Sequence, residues 1–106
     1  MAVREIDVAV RLQDGVPVLG LTGDIDANAE AALQAGWHEA AARADEVILD
    51  FTRTSYINST GIALIVQLLA NARARSIALT ARGLSEHYRT IFEITRLADF
   101  MTIADA

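Results

Sequence analysis

Two adjacent hydroxyls, Ser59 and Thr60, stand between Asn58 and Gly61 at the point where a long apolar helical pattern begins, and they are the groups best placed to carry chemistry. Asn58 is a strong helix N-cap type, because its side-chain oxygen can accept one of the backbone N–H groups that a first turn leaves unpaired. Ser59 then falls in the first turn, beside the positive end of the helix dipole, where a phosphoryl group is electrostatically favoured. Phosphorylation there would add about −1.5 to −2 charges and three acceptor oxygens to one spot of the surface. Gly61 costs a helix about 0.5–1 kcal/mol relative to alanine. Its missing Cβ would let another surface approach the turn closely.

The other reactive side chains carry less. Asp24 and Asp26 lie in Thr22–Asp26, read as a loop. Paired carboxylates serve general acid/base work or metal binding, but no His, third carboxylate or other ligand follows at a useful spacing. The plainer reading is a turn in which Asp26 or Asn28 caps the next helix. His38 and His87 each lack a companion ligand and read as solvated helix residues. There is no G-x-S-x-G elbow, P-loop or G-x-G-x-x-G, and no base is positioned by motif beside Ser59. A serine nucleophile needs such a base and a third group to orient it. The sequence therefore reads as a binding module with no metal and no cofactor of its own, and not as an enzyme.

The elements that must position Ser59 follow from the patterning. From Val3 to Arg11, apolar residues at period two from Ile6 predict a half-buried strand. Asp14-Gly15 predicts a hairpin turn into a second strand, VPVLGLT, with Pro17 marking an edge position or a strand beginning. Ala27 to Arg43 predicts an amphipathic helix packed by Trp37. Val47, Ile48 and Leu49 are apolar on both alternations, as in a central strand, and a polar loop, TRTSYIN, is expected after Phe51. In the helix that follows, Ile62, Ile65, Val66, Leu69 and Ala72 form one stripe, with Gln67, Asn71 and Arg75 opposite. Leu64 projects among the polar residues, either as an ordinary exposed leucine or as part of a docking surface with Ser59, Thr60 and Gln67. Ser76 to Ala81 predicts a strand, Ser85 caps a helix through Thr95 with Tyr88, Ile91 and Phe92 inward, and Leu97 and Phe100 complete the core before a last short strand at MTIAD. This is an α/β chain with a mixed sheet of four or five strands.

At 106 residues the chain fits one domain spanning residues 1–106. It has no cysteine, which excludes disulfides and thiolate chemistry and suits a reducing compartment. Neither a signal pattern nor a membrane-length apolar run occurs, so a cytoplasmic protein without membrane insertion is expected. The net charge of −5 is split unevenly. Residues 1–52 hold ten acidic residues against three Arg, and residues 53–106 hold four against six. Overall acidity argues against direct nucleic-acid binding.

The order TGDID, VILDF, YINSTGIALI and RTIFEITRL resembles the STAS domain, specifically the small stand-alone anti-sigma factor antagonists of bacteria, along nearly the whole chain. The resemblance implies a STAS-like fold with helices mainly on one face. It further implies that Ser59 is the phosphoacceptor, with Thr60 the next hydroxyl and Gly61 the glycine of an Asp-Ser-Ser/Thr-Gly signature. Asn58 stands where that signature has Asp, keeping the cap and losing the charge. By the same resemblance, Asp24 and Asp26 join Asn58, Ser59, Thr60, Gly61, Leu64 and Gln67 on a partner-facing surface. The implied partners are an anti-sigma factor with GHKL-type serine kinase activity, bound by the unphosphorylated form so that a sigma factor is released, and a PP2C-type phosphatase. Two other readings remain open: a STAS scaffold or transporter-accessory module that is never phosphorylated, and a small-ligand or nucleotide binder using the Ser59 helix N-terminus.

Overall fold

Asp14 and Gly15 both take positive φ, 52° and 81°, and turn the chain from β1 (Asp7–Gln13) into antiparallel β2 (Val16–Ile25). Such a two-residue turn matches the twist of the strands it joins. The computed structural model describes residues 4–104. The expected strand start at Val3 lies outside them, and β1 begins at Asp7. Its Val8 and Val10 are half-buried while Asp7, Ala9 and Arg11 are exposed on the other face, as the period-two pattern requires. Pro17 sits at a strand beginning and not on an edge strand, since β2 has neighbours on both sides. Its missing N–H falls just before Val18, the first residue paired with β3 (Glu46–Asp50).

Strand β2 continues through the acidic stretch that sequence suggested was a loop. Gly23, at φ +100°, marks a register shift, and a Cβ there would collide with the backbone of Arg4 and Glu5. The strand can continue because Asp24 donates its backbone N–H to the Arg4 carbonyl at 2.9 Å and the last residues pair with a parallel strand, β4 (Thr54–Ile57). That strand occupies the stretch expected to be a polar loop. Thr54 anchors it by donating its hydroxyl to the Leu21 carbonyl at 2.8 Å.

Strands β5 (Ala78–Arg82) and β6 (Thr102–Ile103) complete a six-stranded mixed sheet in the order β1-β2-β3-β5-β6, with β4 continuing beyond β3 along β2. Among the described strands only β1 runs antiparallel to its neighbour. One sheet face is covered by α1 (Glu30–Ala41), α2 (Ser59–Ala74) and α3 (Glu86–Ile94), which share a single core with Leu19, Leu21, Val47, Leu49 and Leu79. Trp37 donates its indole N–H to Asn71 Oδ1 at 2.7 Å, fastening α1 to α2. Phe92 of α3 meets Phe51 edge to face at 5.9 Å, a favoured aromatic arrangement. The opposite face carries polar residues: Asp50 accepts from Arg82 at 3.1 Å and from Arg11 at 3.4 Å.

Two packing expectations are corrected. In α2 the buried stripe is Leu64, Ile65, Leu68, Leu69 and Ala72, while Val66 is 42% exposed. Phe100 is half exposed rather than core, lying 4.4 Å beneath the Arg73 guanidinium, and Leu97 and Met101 fill the interior instead.

Candidate functional site

The start of α2 is held from three sides. The Asn58 side-chain oxygen accepts the Gly61 N–H at 2.8 Å, so the cap forms as its residue type dictates. The Asn58 backbone N–H is donated to the Ile25 carbonyl at 3.3 Å, joining the cap to the end of β2. One residue earlier, the Ile57 N–H is donated to the Tyr88 hydroxyl of α3 at 2.8 Å. Gly61 is buried, and a Cβ there would run into the Ile25 carbonyl. The surface that needs this glycine is therefore the chain's own β2.

Around this seat Ser59 and Thr60 are exposed and Asn58 is half-buried. Asp24 and Asp26 flank Ile25, so the topology brings both carboxylates to the same end of the sheet as the Ser59 turn. Asp24 accepts the Arg4 N–H at 3.4 Å, and Asp26 caps the turn at Ala27–Ala29 by accepting from the Asn28 N–H at 2.9 Å. Asp26 thus caps the 3-10 turn that leads into α1, whereas α1 itself starts after Ala29, which offers no side-chain cap. Gln67 is exposed further along α2. Leu64 does not belong to this surface, because it is only 6% exposed and packs in the core. A helix advances about 100° per residue, so the one-sided stripe drawn from sequence was turned by roughly one position.

Two residues that shape the site were not anticipated in their roles. Tyr88 was expected to face inward, which it does in part, but nothing in sequence tells that its hydroxyl reaches the Ile57 N–H. Tyr56, placed opposite Asp24 in the β2–β4 register, is 54% exposed. Its signal was the β-favouring Tyr-Ile pair before Asn58.

The acidity of Asp50 is clearly altered. Burial pushes its pKa up, but hydrogen bonds from the Thr52 hydroxyl and N–H and the contact with Arg82 outweigh that and hold it down at about 2, from its usual 3.8. This carboxylate fixes the turn that leads from β3 into β4. Among the described residues no group of three His, Cys, Asp or Glu could hold a metal ion, and no helix is long and apolar enough to cross a membrane. The arrangement presents an exposed hydroxyl residue at a helix start, at the same end of the sheet as two carboxylates.

Comparisons with known proteins agree with this architecture. The anti-sigma-B factor antagonist of Listeria monocytogenes is 38% identical over 55 residues, which are 52% of this chain and 48% of the relative. The chain thus spans about half the length of the curated relatives it matches. The Bacillus cell fate determinant SpoIIAA in its phosphorylated form superposes with a TM-score of 0.72 at 20% identity, covering 94% of this chain and 91% of that one. An anti-sigma factor antagonist from Mycobacterium paratuberculosis does so with a TM-score of 0.73 at 21% identity, covering 93% and 85%. At such identities these two show a shared fold. The family described as "Mlab, STAS domain" matches residues 8–103, nearly the whole of the hairpin, sheet and helices described above, and the chain therefore belongs to the STAS domain family.

Proposed function

We propose that this chain is an anti-sigma factor antagonist, working in the cytoplasm, whose affinity for its partner is switched by phosphorylation of Ser59, with Thr60 as the neighbouring acceptor. The observation that carries the reading is the exposed Ser59 hydroxyl in the first turn of α2, fixed by the Asn58 cap. The names of the Listeria and Mycobacterium relatives support the antagonist role. The phosphorylated state named for the Bacillus protein supports the switch.

In this reading the unphosphorylated chain docks through Asp24, Asp26, Asn58, Ser59, Thr60 and Gln67, with Gly61 letting the turn sit close to β2. Its partner is an anti-sigma factor that is also a GHKL-type serine kinase, and docking frees a sigma factor. The kinase supplies ATP, magnesium and the base, since phosphoryl transfer needs these and the site holds no equivalent. Phosphoserine places charge without a partner in a desolvated contact, beside Asp24 and Asp26, and the complex dissociates. Every 1.4 kcal/mol or so of such mismatch weakens binding about tenfold. A PP2C-type phosphatase restores the docking form. The chain itself is no catalyst.

The test is to incubate the protein with its anti-sigma kinase and ATP and map the phosphate by mass spectrometry. Modification at Ser59 is expected; a chain that binds the kinase yet stays unmodified at Ser59 and Thr60 would be the constitutive scaffold. Asn58, which lacks the charge of an aspartate, is the feature that favours that second reading.

A further inference from the structure

Strand β1 pairs with β2 along one side only, and no described strand lies on its other side. The two-residue turn makes Gln13 and Val16 a pair that exchanges both backbone hydrogen bonds, so the odd residues of β1 spend their N–H and C=O groups on β2. The backbone groups of Val8, Val10 and Leu12 then point away from the sheet. A seven-residue edge with this row of unused donors and acceptors is a template for another strand.

The side chains say which strand fits. Asp7, Ala9 and Arg11 share the helix-free face, and Asp7 makes no ion pair among the described residues. If a second β1 runs antiparallel with Ala9 opposite Ala9, then Asp7 stands opposite Arg11 of the other copy, twice by symmetry. Val8 stands opposite Val10 in hydrogen-bonded pairs, as the outward row demands. Leu12, 72% exposed, is carried toward Ile6 of the other copy. Shifting the register by two in either direction loses the Asp7–Arg11 match. The Arg11–Asp50 contact is long, at 3.4 Å, and the Arg11 side chain is 54% exposed, so Arg11 can turn to the new carboxylate while Asp50 keeps Arg82 and Thr52. Ala31 and Ala32 of α1, beside Ile6, are short enough to let a second copy approach.

We propose that β1 is a homodimerisation edge, joining two copies about a two-fold axis at Ala9 into one continuous sheet. Such an isologous contact closes on itself and leaves no further edge of the same kind.

The experiment uses the full chain. Sedimentation is expected to show a doubling of mass as concentration rises. Asp7→Arg is expected to lose the dimer by setting Arg against Arg, and Asp7→Arg combined with Arg11→Asp to regain it. The chain has no cysteine, so Ala9→Cys tests the axis directly. Opposed residues of a non-hydrogen-bonded pair sit about 4.5 Å apart at Cα, within disulfide range. Under mild oxidation Ala9→Cys is expected to cross-link well ahead of Gln13→Cys, which has no cysteine opposite it in this register. A chain that sediments as a monomer at every concentration, or equal cross-linking of the two cysteine variants, would overturn the proposal.

Discussion

The Tyr88 hydroxyl accepts the Ile57 N–H at 2.8 Å, so α3 holds the residue immediately before the Asn58 cap. Ile57 belongs to a four-residue strand with a single neighbour, and this bond occupies its free side. Tyr88→Phe keeps the ring and removes the acceptor, leaving a part-buried N–H unpaired. A loss of about 1–3 kcal/mol in urea unfolding is expected.

Asn58→Ala removes the acceptor for the Gly61 N–H and is expected to cost about 1 kcal/mol. Asn58→Asp keeps an acceptor and adds a negative charge at the positive end of α2, so its stability should equal or slightly exceed that of the natural chain. Thermal unfolding of the two variants side by side checks the order.

Gly61→Ala separates propensity from packing. Helix propensity alone favours alanine by about 0.5–1 kcal/mol. The Cβ, however, would meet backbone of β2, which cannot move aside like a flexible side chain. Net destabilisation of about 1–3 kcal/mol is expected from denaturant unfolding.

Asp50 predicts an acid limb. Its pKa in the folded protein is the lower one, so its contribution is complete above about 3.8 and is lost as pH falls through about 2. Asp50→Asn should be less stable at neutral pH and show a flatter decline over that window. An unchanged slope would mean that other carboxylates govern acid unfolding.

Ser59→Asp should weaken partner binding while leaving the unfolding midpoint nearly unchanged, because the side chain is exposed and sits at the favourable end of the helix dipole. Ser59→Ala should bind like the natural chain and resist the kinase. Calorimetric titration against the anti-sigma kinase proposed above reads the binding of both variants, and mass spectrometry after incubation with ATP reads the resistance. Aspartate imitates phosphate only in part, so a modest loss is expected.

The sequence showed much of this plainly, for physical reasons that differ from residue to residue. Caps at Asn58 and Ser85 and the turn at Asp14-Gly15 are local chemistry, decided within a few residues, and they stand where the residue types put them. Strand β4 was hidden because its pairing partner is some thirty residues away and its own four residues include two exposed ones. Gly23 and Asp24 look like a turn, yet long-range bonds to Arg4 and Arg53 carry the strand through them. Leu64 and Val66 exchanged roles because an apolar pattern fixes a helical face only to within about one residue when both candidates are hydrophobic. Phe100 lost its core position to Met101, a choice that only packing decides.

The triple fastening at Ile57, Asn58 and Gly61 also bears on kinetics. A protein arriving at Ser59 meets a backbone already set in its final shape, so little flexibility is surrendered at the moment of contact, where each side chain newly immobilised would cost about 0.5–1.5 kcal/mol. Encounters with this tip should therefore be quick and free of slow rearrangement.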